Sequence, residues 1–291
     1  MWLPNEIMNC SCPPGLSVTA VLPPSDNGAV RDEVIVPAKV CRIQMDRIGL
    51  QPLVLYGGDL QAIGPTGWGI NRGNYQVDSH MSDMALNQRA VMVDIGANMG
   101  ITSIAFALVY PQVTVHAYEL NPVTFQFLQR NIVANGLVGR VIPHNVGLGR
   151  GPVRLSHCAI STRFGNQMIG SEKMRLRCGS IGCKHLHEHI ENCTSTDQRH
   201  YNLPTITVAA ALRAVGGSIG VLKVDCEGCE WDILDELVSV KKQKRTLRLV
   251  GDCHAVGGVS RERMQLCRSI MSDSHTILSR RHQAHSPLIN N

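Results

Sequence analysis

An α/β fold built on a mostly parallel, doubly wound sheet with helices on both faces is predicted by three observations. From Ala90 onward, short β-type runs alternate with helical periods. The apolar run Val91-Met92-Val93-Asp94-Ile95 ends at a glycine turn and is followed by apolar residues at helical spacing. An acid, Glu119, closes the next strand-like run.

The elements follow in order. Ile101, Ile104, Ala105 and Leu108 recur at helical intervals, which starts a helix near Gly100 and stops it before Pro111. Val113 to Tyr118 reads as the next strand. Asn121-Pro122 supplies a capping side chain and a proline at the first helical position, and Phe125, Leu128 and Ile132 give one apolar face until Asn135-Gly136. Val141 to Val146 is a third strand, with a short piece at Val153 to Leu155. Val208 to Val215 reads as a helix and Gly220 to Asp225 as a buried strand. A further helix begins near Cys229, with Trp231, Leu234 and Val238 on one face. Thr246 to Gly251 is the last clear strand, Ser260 to Ser272 a closing helix, and Thr276 to Ser279 one more possible strand.

Three parts result. Residues 1–88 read as a loosely structured extension, punctuated by Cys12-Pro13-Pro14-Gly15, Pro23-Pro24 and Gly64-Pro65-Thr66-Gly67, with isolated strand-like pieces at Val34 to Val36 and Pro52 to Tyr56. Residues 89–255 form the α/β domain, and residues 256–291 a C-terminal helix and tail. Within the domain, residues 157–203 lose periodicity and read as an irregular insertion. It gathers Cys178, Cys183, His185, His187, His189 and Cys193, whose spacing fits no standard zinc framework, so no metal is expected.

Composition narrows the function classes. The 291 residues are 44% hydrophobic and 18% charged, which excludes a disordered or collagen-like chain. The 28 basic and 23 acidic residues leave a net +5, too small a surplus to predict a nucleic-acid surface, and no nucleic-acid partner is expected. Ile95 to Tyr118 carries no acidic or basic charge over 24 residues, long enough for a membrane span. It breaks at Pro111 and contains Gly96, Asn98 and Gly100, so it reads as two buried elements and no span is expected. The 11 cysteines are odd in number and scattered, which predicts free thiols in a reducing compartment. With no basic and apolar leader in Met1 to Cys12, the expected location is cytoplasmic. Cys226 and Cys229 form a C-x-x-C without a thioredoxin context, and no redox chemistry is expected of them.

The turn Asp94-Ile95-Gly96-Ala97-Asn98-Met99-Gly100 carries the first chemical signal. Glycines there remove side chains where a ligand must approach, and the helix that follows offers N–H groups and a positive dipole end. Glu119 lies 19 residues beyond Gly100, a spacing that suits a ribose diol donating two hydroxyls to one carboxylate. An adenosine-containing cofactor follows. Asn98 stands where a dinucleotide turn has its middle glycine and would crowd a pyrophosphate, which tilts the choice from NAD toward a ligand without phosphates. A second cluster, Asp225, Glu227, Glu230 and Asp232 around Gly228, crowds the C-terminal edge of the sheet, where open α/β sheets bind ligands. A carboxylate there, or His254 of Asp252-Cys253-His254, is placed to remove a proton from an acceptor. Glu230 and Asp232 also suit the first turn of a helix electrostatically.

Asp94-Ile-Gly-Ala-Asn-Met-Gly100, Glu119-Leu-Asn121-Pro122, Asn131-Ile-Val-Ala-Asn135-Gly136 and above all Leu222-Lys223-Val-Asp225-Cys-Glu227-Gly228-Cys-Glu230-Trp231 resemble the FkbM-type methyltransferases, over roughly residues 90–254. The resemblance implies a class I methyltransferase (Rossmann-like) fold, S-adenosylmethionine as cofactor, and methylation of a hydroxyl on a small-molecule, sugar or lipid-like acceptor. It implies that Asp94, Gly96 and Gly100, with Ala97 and Asn98 between them, border the methionine part, that Glu119 holds the ribose, and that His144-Asn145-Val146 lies near the adenine. Asp225 joins the cofactor set, and Glu227, Glu230 and His254 are the candidates for catalysis. Thr207-Val208-Ala209-Ala210 replaces the Thr-Leu-Asp-Asp segment common in that family, which leaves open a catalytically inactive binding module. An NAD-dependent oxidoreductase is the third reading.

Overall fold

The computed structural model describes residues 8–11, 15–26, 28, 31–43, 53–57, 90–157, 199–216, 218–226, 228–243, 248–251, 253–254 and 259–271. The chain begins with β1 (Met8–Ser11), β2 (Ser17–Pro24), β3 (Arg31–Pro37), β4 (Lys39–Ile43) and β5 (Leu53–Gly57). It continues with β6 (Ala90–Ile95), α1 (Ile101–Val109), β7 (Thr114–Tyr118), α2 (Pro122–Ala134), β8 (Val141–His144), β9 (Gly147–Leu148) and β10 (Val153–Ser156). After these come β11 (His200–Leu203), β12 (Thr205–Ile206), α3 (Val208–Ala214), β13 (Ser218–Val224), α4 (Glu230–Gln243), β14 (Arg248–Gly251) and a final helix, α5, over residues 261–271.

The central sheet has the order β14-β13-β6-β7-β8, and every neighbouring pair is parallel. Parallel neighbours need crossover connections, and those connections place helices on both faces. Successive residues of β6 show the two-residue period that this requires. Met92 joins the core formed with α1 and α2, whereas Val91, Val93 and Ile95 join the core formed with α3, α4 and α5. The order reverses between β6 and β13, so the carboxyl ends of these two strands flank the crevice where sheets of this type bind ligands. This is the doubly wound, Rossmann-like class I arrangement expected from the sequence, and the five described strands are wholly parallel. The possible strand at Thr276 to Ser279 lies outside the described residues.

Local chemistry sets the helix starts, that of α2 as the sequence predicts. The Asn121 side chain accepts from Val123 N at 2.8 Å and Thr124 N at 3.4 Å, with Pro122 in the first turn of α2. Thr207 caps α3 by accepting from Ala210 N at 3.1 Å. No helix among the described residues is long and apolar enough to cross a membrane.

Two expectations are corrected. The described residues between Met8 and Gly57 are not a loose extension, because β1, β4 and β5 make a three-stranded antiparallel sheet and β2 pairs with β3. Leu53 and Leu55 are fully buried in the core shared with α1 and α2. The backbone of β5 is clasped by two amides, one within α2 and one at its C-cap. Asn131 Oδ1 accepts from Tyr56 N at 2.6 Å, and its Nδ2 donates to Tyr56 O at 3.0 Å and Met99 O at 2.8 Å. Asn135 repeats the pattern on Val54, accepting at 3.0 Å and donating at 2.7 Å. The other side of α2 is covered by Val18, Ala20, Leu22 and Val34 of the β2–β3 hairpin, packed on Val123 and Phe127.

The end of the expected insertion, residues 200–203, is not irregular. β11 pairs antiparallel with β10, and β12 pairs parallel with β9, so regular structure resumes at His200. Tyr201 is fully buried and its hydroxyl donates to Asp32 while meeting His157 Nδ1 at 3.0 Å. Cys178, Cys183, His185, His187, His189 and Cys193 lie outside the described residues.

Candidate cofactor and active site

The turn after β6 is fixed from three sides. Gly96 N and Ala97 N donate to Tyr118 O at 3.0 and 2.9 Å, and Asn98 N donates to Glu119 Oε2 at 2.9 Å. Gly96 has φ 75° and Asn98 has φ 54°, left-handed values that glycine and asparagine tolerate best. A Cβ on Gly96 would overlap the carbonyl of Asp225 and stand 2.9 Å from Cys226 Cα. Glycine at this position is therefore required by the close approach of the chain leaving β13. Gly100, at φ 91°, faces Leu128 in the same way, where a Cβ would meet its Cδ1 at 2.5 Å.

Asp94 is fully buried, and both carboxylate oxygens are engaged within the protein. Lys223 Nζ donates to Oδ1 at 2.6 Å and Ser103 Oγ to Oδ2 at 2.6 Å, while Lys223 also donates to Gly96 O at 3.0 Å. Asp94 thus holds the turn from behind, tying β6 to β13 and α1. Burial disfavours the Lys223 ammonium, but Asp94, Asp225 and Glu119 outweigh that effect and hold its pKa above the ordinary value. Lys223 and Ser103 were not among the sequence candidates. A detectable signal existed, since a lysine within the apolar run Val221-Leu222-Lys223-Val224 must find a partner, and Asp94 is the acid in the neighbouring run.

Glu119 sits under the turn with each oxygen held by one backbone donor, Oε2 by Asn98 N and Oε1 by Asn121 N at 2.8 Å. Burial pushes its carboxyl up to about 7, against the opposing pull of the Asn121 and Asn98 N–H groups and of Lys223. Two oxygens with one donor each retain acceptor capacity for the two hydroxyls of a ribose. Asn145 Nδ2 donates to Glu119 O at 2.9 Å and Leu120 O at 3.2 Å, which fastens the exit of β8 to that of β7. Beside it the Tyr118 and His144 rings stack at 4.4 Å, and His144 Nε2 lies 3.0 Å from His116 Nδ1. Burial, with His144 as neighbour, pushes His116 down to about 4, and burial lowers His144 as well.

The second cluster gathers across the switch point. Glu230, the first residue of α4, is fully buried and heavily bonded. Its Oε2 accepts from Gly228 N at 2.9 Å, and its Oε1 accepts from His254 N at 2.8 Å and lies 2.7 Å from His254 Nδ1. His254 Nε2 lies 3.5 Å from Asp225 Oδ1, and the Trp231 indole donates to His254 O at 3.0 Å. The structure therefore brings Asp225, Glu230 and His254 together, on the same sheet edge as Gly96 and Glu119. Asp232 is exposed on the first turn of α4, whereas Glu227 lies outside the described residues.

The cysteines correct a further expectation. Cys226 is bonded to Cys229, and Cys253 to Cys267. These four are therefore not the free thiols expected from the scattered cysteine count. Cys226, Cys229 and Glu230 place three donor atoms within 4.8 Å of one another, but sulfurs bonded to each other are not thiolate ligands.

No protein-family model matches the chain. Two curated proteins do: Methyltransferase 1 of Beauveria bassiana is 28% identical over 156 residues, covering 49% of this chain and 56% of its own length. The 31-O-demethyl-FK506 methyltransferase FkbM of Streptomyces tacrolimicus is 27% identical over 185 residues, covering 61% of this chain and 70% of its own length. Among solved structures, a SAM-dependent methyltransferase from Agrobacterium tumefaciens aligns at 9% identity with a TM-score of 0.35, covering 79% of this chain and 58% of that one. The METTL16 MTase domain aligns at 10% identity with a TM-score of 0.29, covering 59% and 48%. The chain spans little more than half the length of the first of its curated relatives, and both proteins it resembles in sequence are named methyltransferases, one of them FkbM.

Proposed function

We propose that the protein is an S-adenosylmethionine-dependent methyltransferase that methylates a hydroxyl of a small-molecule, sugar or lipid-like acceptor. The single observation that carries this reading is the Glu230–His254–Asp225 constellation on the sheet edge that also holds the Gly96 turn and Glu119. S-adenosylmethionine, when bound, supplies an electrophilic methyl group on a sulfonium. Glu119 and the turn from Gly96 to Gly100 would hold its ribose and orient it.

An acceptor hydroxyl attacks well only if its proton is removed as the new bond forms. Glu230 engages Nδ1 of His254 as a hydrogen-bond acceptor, which fixes the ring and leaves Nε2 as the atom that takes the proton. The Asp225 carboxylate, 3.5 Å from Nε2, faces the positive charge that the ring then acquires. Glu230 acts through His254 and is a positioning residue.

The test is transfer of a labelled methyl group from S-adenosylmethionine into an extract of small molecules, with wild type, His254→Gln and Glu230→Gln. Label should enter a hydroxyl-bearing acceptor with wild type and fall by about a hundredfold or more with His254→Gln. Binding of the cofactor without any transfer, from any extract fraction, would instead support a binding module that has lost turnover.

A further inference from the structure

Four cysteines meet at the C-terminal edge of the sheet, and their two disulfides have different settings. Cys253–Cys267 joins the segment after β14 to α5, with Cys267 fully buried beside Met271, and acts as a fastening between elements. Cys226–Cys229 spans only the turn between β13 and α4, with Cys226 half-buried and Cys229 buried. The second setting suits thiol–disulfide exchange. A small thiol can reach the first sulfur, and the second waits behind it to resolve a mixed disulfide.

Three contacts tie this pair to the crevice. Cys226 Sγ lies 3.2 Å from Glu230 Oε2, the carboxylate whose other oxygen holds His254. Cys226 Cα stands 2.9 Å from the point where a Cβ on Gly96 would be. Asp225, the preceding residue, donates from its N to Ile95 O at 3.0 Å and faces His254 Nε2. Reduction gives Cys226 an S–H that can donate to Glu230. It also separates the sulfurs, because two unbonded sulfurs cannot remain as close as a bonded pair. Any movement of Cys226 that accompanies this meets the Gly96 turn, against which its backbone is packed.

We propose that Cys226–Cys229 is a thiol–disulfide exchange site whose redox state sets cofactor affinity at the crevice, with low-molecular-weight thiols and disulfides of the glutathione type as its reaction partners. The proposal rests on the reading of that crevice as an S-adenosylmethionine site. In the oxidising direction, the Cys226 thiolate attacks a sulfur of oxidised glutathione, forming a mixed disulfide and releasing one glutathione thiolate. Cys229 then loses its proton, its sulfur attacks the Cys226 sulfur, and the second glutathione leaves. Two protein thiols become one disulfide while one glutathione disulfide becomes two glutathione thiols.

The experiment poises the full chain in glutathione buffers of stepped ratio, traps free thiols by alkylation for mass mapping, and measures S-adenosylmethionine binding by calorimetry in each state. Alkylation of Cys226 and Cys229 should switch reversibly within the range of ratios, and the cofactor Kd should change by threefold or more between the end states. The Cys226→Ser/Cys229→Ser variant retains Cys253–Cys267, and its Kd should be the same in all buffers. A pair that stays bonded at every ratio, or equal Kd values for oxidised and reduced wild type, overturns the proposal. A Kd change that persists in the double serine variant overturns it as well, by assigning the effect to other cysteines. Absence of S-adenosylmethionine binding in both states is a different result, which defeats the methyltransferase reading itself and with it the control ascribed to the pair.

Discussion

If Glu119 holds a ribose diol, cofactor affinity must follow its ionisation. The carboxylate accepts from both hydroxyls, whereas the neutral acid offers a donor on one oxygen and opposes one of them. Burial sets the Glu119 carboxyl at about 7, so roughly a tenth of the protein is ionised at about pH 6 and roughly nine tenths at about pH 8. Apparent Kd scales inversely with the competent fraction, so it should fall about tenfold across that interval, or about 1.4 kcal/mol. Calorimetry in buffers of different ionisation enthalpy gives both the slope and the proton released on binding. Glu119→Gln should bind more weakly and lose the slope. Its amide cannot accept from both Asn98 N and Asn121 N, so the ratio of Kd values within each variant is the appropriate readout. A flat profile in wild type, or the same slope in Glu119→Gln, would refute the assignment. The linkage to folding has the opposite sense. A carboxyl raised from 4.5 to about 7 on folding contributes stability below about pH 4.5, and this is lost as pH rises through about 7.

Three further outcomes are expected. Gly96→Ala combines a positive φ with overlap onto the Asp225 carbonyl and should destabilise by about 3 kcal/mol or more, read as a lower Tm and a shifted urea midpoint. Lys223→Met strands a buried Asp94 carboxylate and should cost about 3 to 5 kcal/mol, with Asp94→Asn added in the same chain recovering a large part; strict additivity in that double-mutant cycle would refute the pairing. Asn131→Ala removes three hydrogen bonds to Tyr56 and Met99 and should cost about 2 to 3 kcal/mol, with faster amide exchange at Tyr56 as its local signature.

What the sequence revealed was local. Asn121-Pro122 announces α2 because a cap and its helix are adjacent in the chain, and the turn from Asp94 to Gly100 announces β6 and α1 for the same reason. Glu119 was legible because it closes the strand that pairs beside β6. The missed features depend on distant partners. Lys223 meets Asp94 across 129 residues, and Asn131 meets Tyr56 across 75, distances over which periodicity carries no information. The pairing of Cys253 with Cys267 depends on where α5 settles, which an odd and scattered cysteine count obscures. The Glu230–His254 contact was half legible, since both residues were candidates but only the fold shows that the carboxylate grips the imidazole.

The amides that clasp β5 also bear on how the chain folds during synthesis. β5 leaves the ribosome 75 to 81 residues ahead of the asparagines that complete its hydrogen bonds, so its outer edge waits unpaired while β6, α1 and β7 are made. Closing that long loop carries an entropic cost that rises with the logarithm of its length, and the contact repays it only once α2 is formed. The seam between β5 and α2 can therefore close only after α2 is made, and until then the edge of β5 is open to pairing with another strand.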